Sequence, residues 1–233
     1  MIKKISALIL ALSLLACSGE KTPKDLTVIN FQESAKKEVT QDSYKAILKF
    51  EQIGDNVVEL QNNINLKMQE GVAAAKLEKD LDVSTGNYNV NQYWSQQLNK
   101  FSGYQAFQEI ILDSQNKDAL LKVAQKLQAS GFIMSSLDSY LSPKTIASYR
   151  NELIEEALNR VKDRAGAVAK NLGKKQINIA QININSNDYS PYQGRVMMMK
   201  ANMAPDAAMV APTVEPSKQN VSIDIAVTVN LRN

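Results

Sequence analysis

Residues 143–173, PKTIASYRNELIEEALNRVKDRAGAVAKNLG, decide the fold. Apolar side chains recur in this stretch every three or four positions, which is the spacing of one face of an α-helix. That face consists of Ile146, Tyr149, Leu153, Ala157, Val161, Ala165, Val168 and Leu172. Ser142 suits the N-cap, Pro143 the first helical position and Gly173 a left-handed residue after the last turn. We therefore predict an amphipathic helix of about eight turns over residues 143–172.

Runs in which apolar and polar residues alternate lie on both sides of this helix and predict strands that are buried on one face. They lie at residues 26–31, 44–50, 82–90, 103–112, 132–141, 176–185 and 221–231. Two further helices are predicted, one capped by Asp55 and ending near Lys79, the other running from about Asn116 to Gly131. Residues 33–42 are interpreted as a polar bridge, and the state of the Asn- and Gln-rich segment 91–100 stays open. The pattern predicts an α+β fold in which three helices pack on a mostly antiparallel sheet.

The N-terminus has the features of a secretory signal: Lys3 and Lys4 precede an apolar run, which closes in Leu14-Leu15-Ala16-Cys17. This ending resembles a bacterial lipobox, so we expect residues 1–16 to be a lipoprotein signal peptide and Cys17 to carry the lipid. The alternative is an ordinary signal peptide that contains a cysteine. Residues 17–25 would form a tether and residues 26–233 the domain. Ser18 after the cysteine favours the periplasm and the outer membrane as the location.

Charge and composition exclude several classes of function. Removal of Lys3 and Lys4 lowers the formal charge from +3 to +1, which gives no electrostatic case for binding nucleic acid. The chain has no histidine and only one cysteine, so Ser-His, Cys-His and zinc sites are not expected. Three Ser-x-x-Lys matches occur without the other motifs of serine acylases. They are Ser18/Lys21, Ser34/Lys37 and Ser114/Lys117. We predict no catalytic residue, no cofactor and a capping role for Ser114.

Residues 188–218, here called the methionine-rich segment, are rich in Met, Ala and Pro. The density of prolines predicts a long loop. Five methionines lie in it: Met197, Met198, Met199, Met203 and Met209. Three interpretations stay open for them: a Cu(I) site for which the first four are the candidate ligands, a reversibly oxidised cluster, or an apolar loop that packs on a neighbour.

Trp94 lies in the Asn- and Gln-rich segment 91–100, close in sequence to Tyr88 and Tyr93. Aromatic side chains of this kind are found in protein cores, at interfaces and as platforms on which a ligand stacks. The sequence favours a core or interface role, with the ligand platform as the alternative.

Several local patterns resemble the SIMPL domain family of bacterial envelope proteins. They are Gly103-Tyr104-Gln105-Ala106 at the start of a strand, Gly131-Phe132 after a helix, Ala165, Val168-Ala169 and Leu172-Gly173 in the long helix, Glu215-Pro216, Val221-Ser222-Ile223 and Val227-Thr228-Val229. The chain departs from the family pattern at Val28-Ile29-Asn30-Phe31, where a glycine-rich strand is usual, and at Gln41-Asp42, where Pro-Asp is usual.

The resemblance implies an α+β domain, secretion to the periplasm and self-association into ring-like or channel-like homo-oligomers. For some members it implies a link to oxidative-stress defence, and it gives no catalytic residue to transfer. We therefore expect a non-catalytic lipoprotein that contacts the membrane through Cys17 and other copies of itself. The alternative is an envelope protein that binds copper or an unknown small molecule.

Overall fold

The computed structural model describes residues 25–186 and 212–233. Along the chain these residues form β1 Thr27–Thr40, β2 Ser43–Gly54, α1 Val57–Ala75, β3 Asp82–Ser95, β4 Lys100–Ser114, α2 Lys117–Ala129, β5 Ile133–Tyr140, α3 Pro143–Asn171, β6 Gln176–Ser186 and β7 Lys218–Arg232. The strands form two antiparallel sheets, with the orders β1-β7-β6 and β3-β4-β2-β5. The predicted α+β class, with three helices and a long third helix, is confirmed.

The described residues divide into two compact units. One contains residues 25–34, Glu156–Asn185 and Asp224–Asn233; the other contains Ala35–Glu155, Ser186 and residues 212–223. The boundary falls inside β1, α3, β6 and β7, so these four elements contribute residues to each unit.

The larger unit is built on the four-stranded sheet, with α1 and α2 packed on one face. Alternation in β2 directs Ala46 and Leu48 to this face, and Leu48 lies opposite Ile110 of β4 in the ladder. The periodic faces of the two helices complete the core with Ile64 and Leu120, which are both fully buried. This packing confirms that the alternating runs at residues 44–50 and 103–112 form strands with a buried face.

The smaller unit holds the C-terminal half of α3 and parts of β1, β6 and β7. Small residues spaced four apart on α3 are buried: Ala157, Val161, Ala165 and Ala169. Arg164 joins the helix to β1, since its Nε lies 2.5 Å from Glu33 Oε1 and its guanidinium lies 5.7 Å from the ring centroid of Phe31.

The start of α3 is held by a group of hydrogen bonds in the larger unit. Ser142 Oγ accepts from the Thr145 N–H at 3.1 Å, which confirms Ser142 as the N-cap. The carboxylate of Asp42 accepts from the Ser142 N–H at 2.7 Å and from Thr145 Oγ1 at 2.5 Å. Burial raises the pKa of Asp42, but the hydrogen bonds from Thr145 and Ser142 outweigh it and the pKa lies below its ordinary value. At the other end, Gly173 has the predicted positive φ of 67°.

Some predicted boundaries were wrong. Residues 33–40 are not a polar bridge: they continue β1, and the connection to β2 is only Gln41 and Asp42. Helix α1 ends at Ala75 rather than near Lys79. Its N-cap is Asn56, not Asp55, because the Asn56 side chain accepts from the N–H groups two and three residues later. Leu172 is 53% exposed because α3 ends one residue earlier.

The segment left open in the sequence, residues 91–100, belongs mostly to a long hairpin. Strand β3 continues to Ser95, and β4 begins at Lys100, opposite it in the ladder. The register of β3 against β4 shifts between Thr85 and Tyr88, on either side of Gly86. None of the helices that the structure describes is long and apolar enough to cross a membrane.

Candidate interaction surfaces

Two sets of predicted site residues lie outside the described residues. These are the expected lipidation site, Cys17, and the candidate copper ligands Met197, Met198, Met199 and Met203, together with Met209. Within residues 25–186 and 212–233, no three His, Cys, Asp or Glu side chains are grouped so as to hold a metal ion.

The Ser114/Lys117 pair does not form a catalytic arrangement. Ser114 is buried, and its hydroxyl donates to the Asp80 carbonyl oxygen at 2.5 Å while accepting from the Asn116 N–H at 2.9 Å. Lys117 points elsewhere, with its Nζ 3.1 Å from Glu215 Oε1. The N-cap of α2 is Asn116, whose Oδ1 accepts from the Ala119 N–H, so Ser114 supports the capping residue instead of capping the helix itself.

The face of the four-stranded sheet opposite α1 and α2 carries paired charges. Tyr140 donates to Asp113 at 2.5 Å, and Lys45 Nζ lies 3.3 Å from the same carboxylate. Burial, followed by the hydrogen bond to Asp113, raises the pKa of Tyr140 well above its ordinary value, so its hydroxyl remains a donor. Lys49 forms an ion pair with Glu51 farther along β2. These groups therefore satisfy one another through their mutual contacts.

A group of exposed apolar side chains lies at the end of the β3–β4 hairpin. We call Trp94, Leu98 and Phe101 the aromatic tip; their exposed fractions are 46%, 60% and 61%. Trp94 and Phe101 are cross-strand partners, and their rings contact edge to face with centroids 4.9 Å apart. Such a pair stabilises a hairpin by about 0.5–1.5 kcal/mol beyond the area it buries. Trp94 is therefore too exposed to be a core residue, and the interface role that the sequence also favoured stays a prediction.

Backbone geometry gives the hairpin its shape. Residue pairs between β2 and β4 end at Gly54 and Tyr104, so the aromatic tip belongs to a part of the hairpin that is only two strands wide. Gly103 has a φ of 76°, and a Cβ at this position would lie 2.8 Å from the Gly54 carbonyl oxygen. Only glycine fits this bulge, which turns β4 away from β2. At the turn, Asn99 adopts a φ of 48°, a conformation that Asn tolerates better than most residues.

A second exposed apolar surface follows β6. This strand is at the edge of the three-stranded sheet, so among the described residues one side of its backbone has no strand partner. Its sequence, QINIAQININS, contains no charged residue and no proline. Ile177, Ile182 and Ile184 are each more than 40% exposed and lie on both faces of the strand. Soluble proteins usually protect such an edge with charges, proline or a bulge. Alternation in the sequence predicts a strand here but does not show that the strand lies at an edge.

Comparisons with known proteins give one family assignment. A family model described as "SIMPL: Protein of unknown function (DUF541)" matches residues 29–229. No curated protein matches the chain. Among solved structures, the chain is similar to AtUAH in its crystal structure with glyoxylate, at 15% sequence identity and a TM-score of 0.23. That match covers 57% of this chain and 34% of the AtUAH chain, so only about a third of the solved chain is spanned.

Proposed function

The chain belongs to the SIMPL family, and from this premise we propose that it is a non-catalytic, lipid-anchored periplasmic protein that associates with further copies of itself. In this role it supports the defence of the bacterial envelope against oxidants. The lipid on Cys17 holds it at the outer membrane, and the methionine-rich segment provides thioethers that oxidants convert reversibly to sulfoxides.

The exposed edge of β6 is the observation that carries the proposal of self-association. A free strand edge offers a row of backbone N–H and C=O groups that a second strand can pair with. The exposed isoleucines Ile177, Ile182 and Ile184 add apolar area on both faces, which a partner strand would remove from water. A two-fold dimer requires a surface that is complementary to itself, and antiparallel pairing of two copies of β6 meets this requirement.

Sedimentation velocity on the chain with Cys17→Ala tests the association without the lipid. Ile182→Lys places a charge on the edge strand and should weaken association by at least tenfold, because a charged side chain on an edge strand opposes its pairing with another strand. The matched control is Leu66→Lys, since Leu66 is also exposed, at 60%, but lies on the helix α1 and not on the edge strand. A strictly monomeric wild-type protein, or equal weakening by both substitutions, would contradict the proposal.

Cell fractionation tests the anchor separately. If Cys17 carries the lipid, Cys17→Ala should move the protein from the membrane fraction to the soluble periplasmic fraction, whereas Ser18→Ala should leave it in the membrane fraction. Persistence of the Cys17→Ala protein in the membrane fraction would exclude the lipid anchor.

The defensive role is tested by survival of cells on hypochlorite. Cells that lack the protein should survive less well, and substitution of the five methionines between positions 197 and 209 by leucine should fail to restore survival. The alternative function, binding of Cu(I) by Met197, Met198, Met199 and Met203, predicts a monomer that binds one Cu(I) and loses it in the same leucine variant. That combination of results would replace the proposed function.

A further inference from the structure

The aromatic tip is an exposed apolar feature that the self-association proposed above does not use. It lies on β3 and β4, whereas the proposed contact between copies lies on β6. Exposure of three large apolar side chains at the end of one hairpin costs free energy in proportion to their exposed area, and a partner surface that covered them would recover it. The residues around the tip indicate the chemistry of such a surface.

Charge distribution identifies that chemistry. From Val83 to Gln108 the hairpin contains no Asp or Glu, and Lys100 is its only charged residue. This is unusual in a chain with 24 carboxylates among 233 residues. Asp55 lies beside Gly103 and Glu51 accepts from Gln105, so both of these carboxylates lie at the base of the two-stranded part. The far end thus presents apolar groups, amides and one cation.

Shape favours a lipid surface over a protein partner. The tip is the end of a hairpin that is only two strands wide, whereas the residues that dominate protein contacts lie near the centre of an interface, in well-packed and fully desolvated pockets. Trp and Tyr are enriched where hydrocarbon meets the polar headgroups, because their rings are apolar and carry one polar group. Lys100 adds attraction to anionic headgroups, and amides such as Asn99 can hydrogen-bond to them.

We propose that the aromatic tip docks into a phospholipid bilayer, with Trp94, Leu98 and Phe101 at the boundary between headgroups and acyl chains. Lys100 lies at the level of the phosphates. The contact is independent of Cys17 and of pairing through β6. The docking proposal can therefore be refuted while the proposed function stands, and the proposed function can be refuted while the docking proposal stands.

Trp94 is the only tryptophan in the chain, so its fluorescence reports the tip directly. The full chain is mixed with vesicles of phosphatidylethanolamine and phosphatidylglycerol, with and without lipids brominated near the top of the acyl chain. Docking predicts a blue shift of the Trp94 emission and strong quenching by the brominated lipid. Because the readout is local, membrane binding through the N-terminal residues alone does not reproduce it.

Leu98→Asp places a carboxylate in the tip while leaving the Trp94–Phe101 pair in place, and it should reduce the quenching several-fold. Leu77→Asp is the matched control, because Leu77 is 83% exposed, lies outside the hairpin and should leave the quenching unchanged. Lys100→Glu should weaken docking on anionic vesicles and much less on neutral ones. Circular dichroism and the Trp94 spectrum without lipid verify that each variant is folded.

Three results would overturn the proposal. One is an emission spectrum that vesicles do not change, and another is equal quenching in the wild type and Leu98→Asp. The third is a blue shift that depends on protein concentration in the absence of lipid, which would mean that a second copy covers the tip.

Discussion

Gly71 and Gly166 both lie inside helices, and we predict that alanine has opposite effects at the two positions. At Gly71 in α1, an added Cβ would lie 2.6 Å from Phe132 Cζ and 2.8 Å from Ile110 Cδ1. At Gly166 in α3, no other atom lies within 4 Å of the added Cβ. The same substitution is therefore an overpacking change at one site and a change of helix propensity alone at the other.

The expected magnitudes follow from these distances. Alanine is favoured over glycine in a helix interior by about 1 kcal/mol, so Gly166→Ala should raise the free energy of unfolding by about 0.5–1 kcal/mol. Overpacking costs about 1–3 kcal/mol, and at Gly71 both contacts are closer than real Cβ atoms approach. After the gain in helix propensity, Gly71→Ala should lower the free energy of unfolding by about 1–2 kcal/mol.

Urea denaturation followed by circular dichroism measures both changes against the wild type. A double-mutant cycle with Phe132→Leu isolates the steric contact, because the smaller side chain should reduce the cost of alanine at position 71. If Gly71→Ala stabilised the protein as Gly166→Ala does, the close approach of α1 to the sheet would be refuted.

Three further predictions concern other contacts. The pKa of Asp42 is depressed in the folded protein, so its stabilising contribution is complete above its unfolded pKa of about 4 and is lost as pH falls through the lower folded value. Asp42→Asn should therefore reduce the fall in the free energy of unfolding at acid pH, measured by urea denaturation over a series of pH values. An unchanged fall would refute this. Asn56→Ala should cost about 1 kcal/mol of stability in urea denaturation, and Asp55→Ala less than about 0.5 kcal/mol, because only Asn56 caps α1; equal costs would contradict that assignment. Mild peroxide should oxidise the methionine-rich segment before Met68 and Met134, which are each 4% exposed, and peptide-resolved mass spectrometry would show the reverse order if the prediction is wrong.

The long helix and the faces of the strands in the core could be predicted because their patterns are local. In α3, Leu153, Ala157 and Val161 follow the helical period, and each is buried as that period requires. Capping at Ser142 could be predicted for the same reason, since it depends on residues within one turn. The prediction that Asp55 is the N-cap of α1 was wrong because Asn56, one position later, is an equally suitable residue type.

Features that depend on contacts distant in sequence could not be predicted. Residues 33–40 are mostly polar, and only Ala35 and Val39 in the second half of β1 mark a buried face. Pairing of β1 with β7 supplies the backbone hydrogen bonds that make residues 33–40 a strand, and the sequence near position 35 does not indicate that pairing. Local composition also does not show where the neighbouring strand β2 ends, so the sequence could not distinguish a core position from an interface position for Trp94. The edge position of β6 depends on the order of strands in the sheet, which alternation alone does not determine.

A cysteine scan along β6 tests the pairing of two copies most directly. Each position from 177 to 185 is changed to cysteine in the Cys17→Ala protein, which has no other thiol, and disulfide-linked dimers are measured after mild oxidation. Directly opposed residues in an antiparallel pair have Cα atoms about 4.5–5.5 Å apart, within the range that a disulfide spans. The account predicts a single maximum of cross-linking, at the residue nearest the two-fold axis, with yields that fall towards both ends. Uniformly low yields, no higher than those of Gln125→Cys on the exposed face of α2, would contradict self-association through this edge.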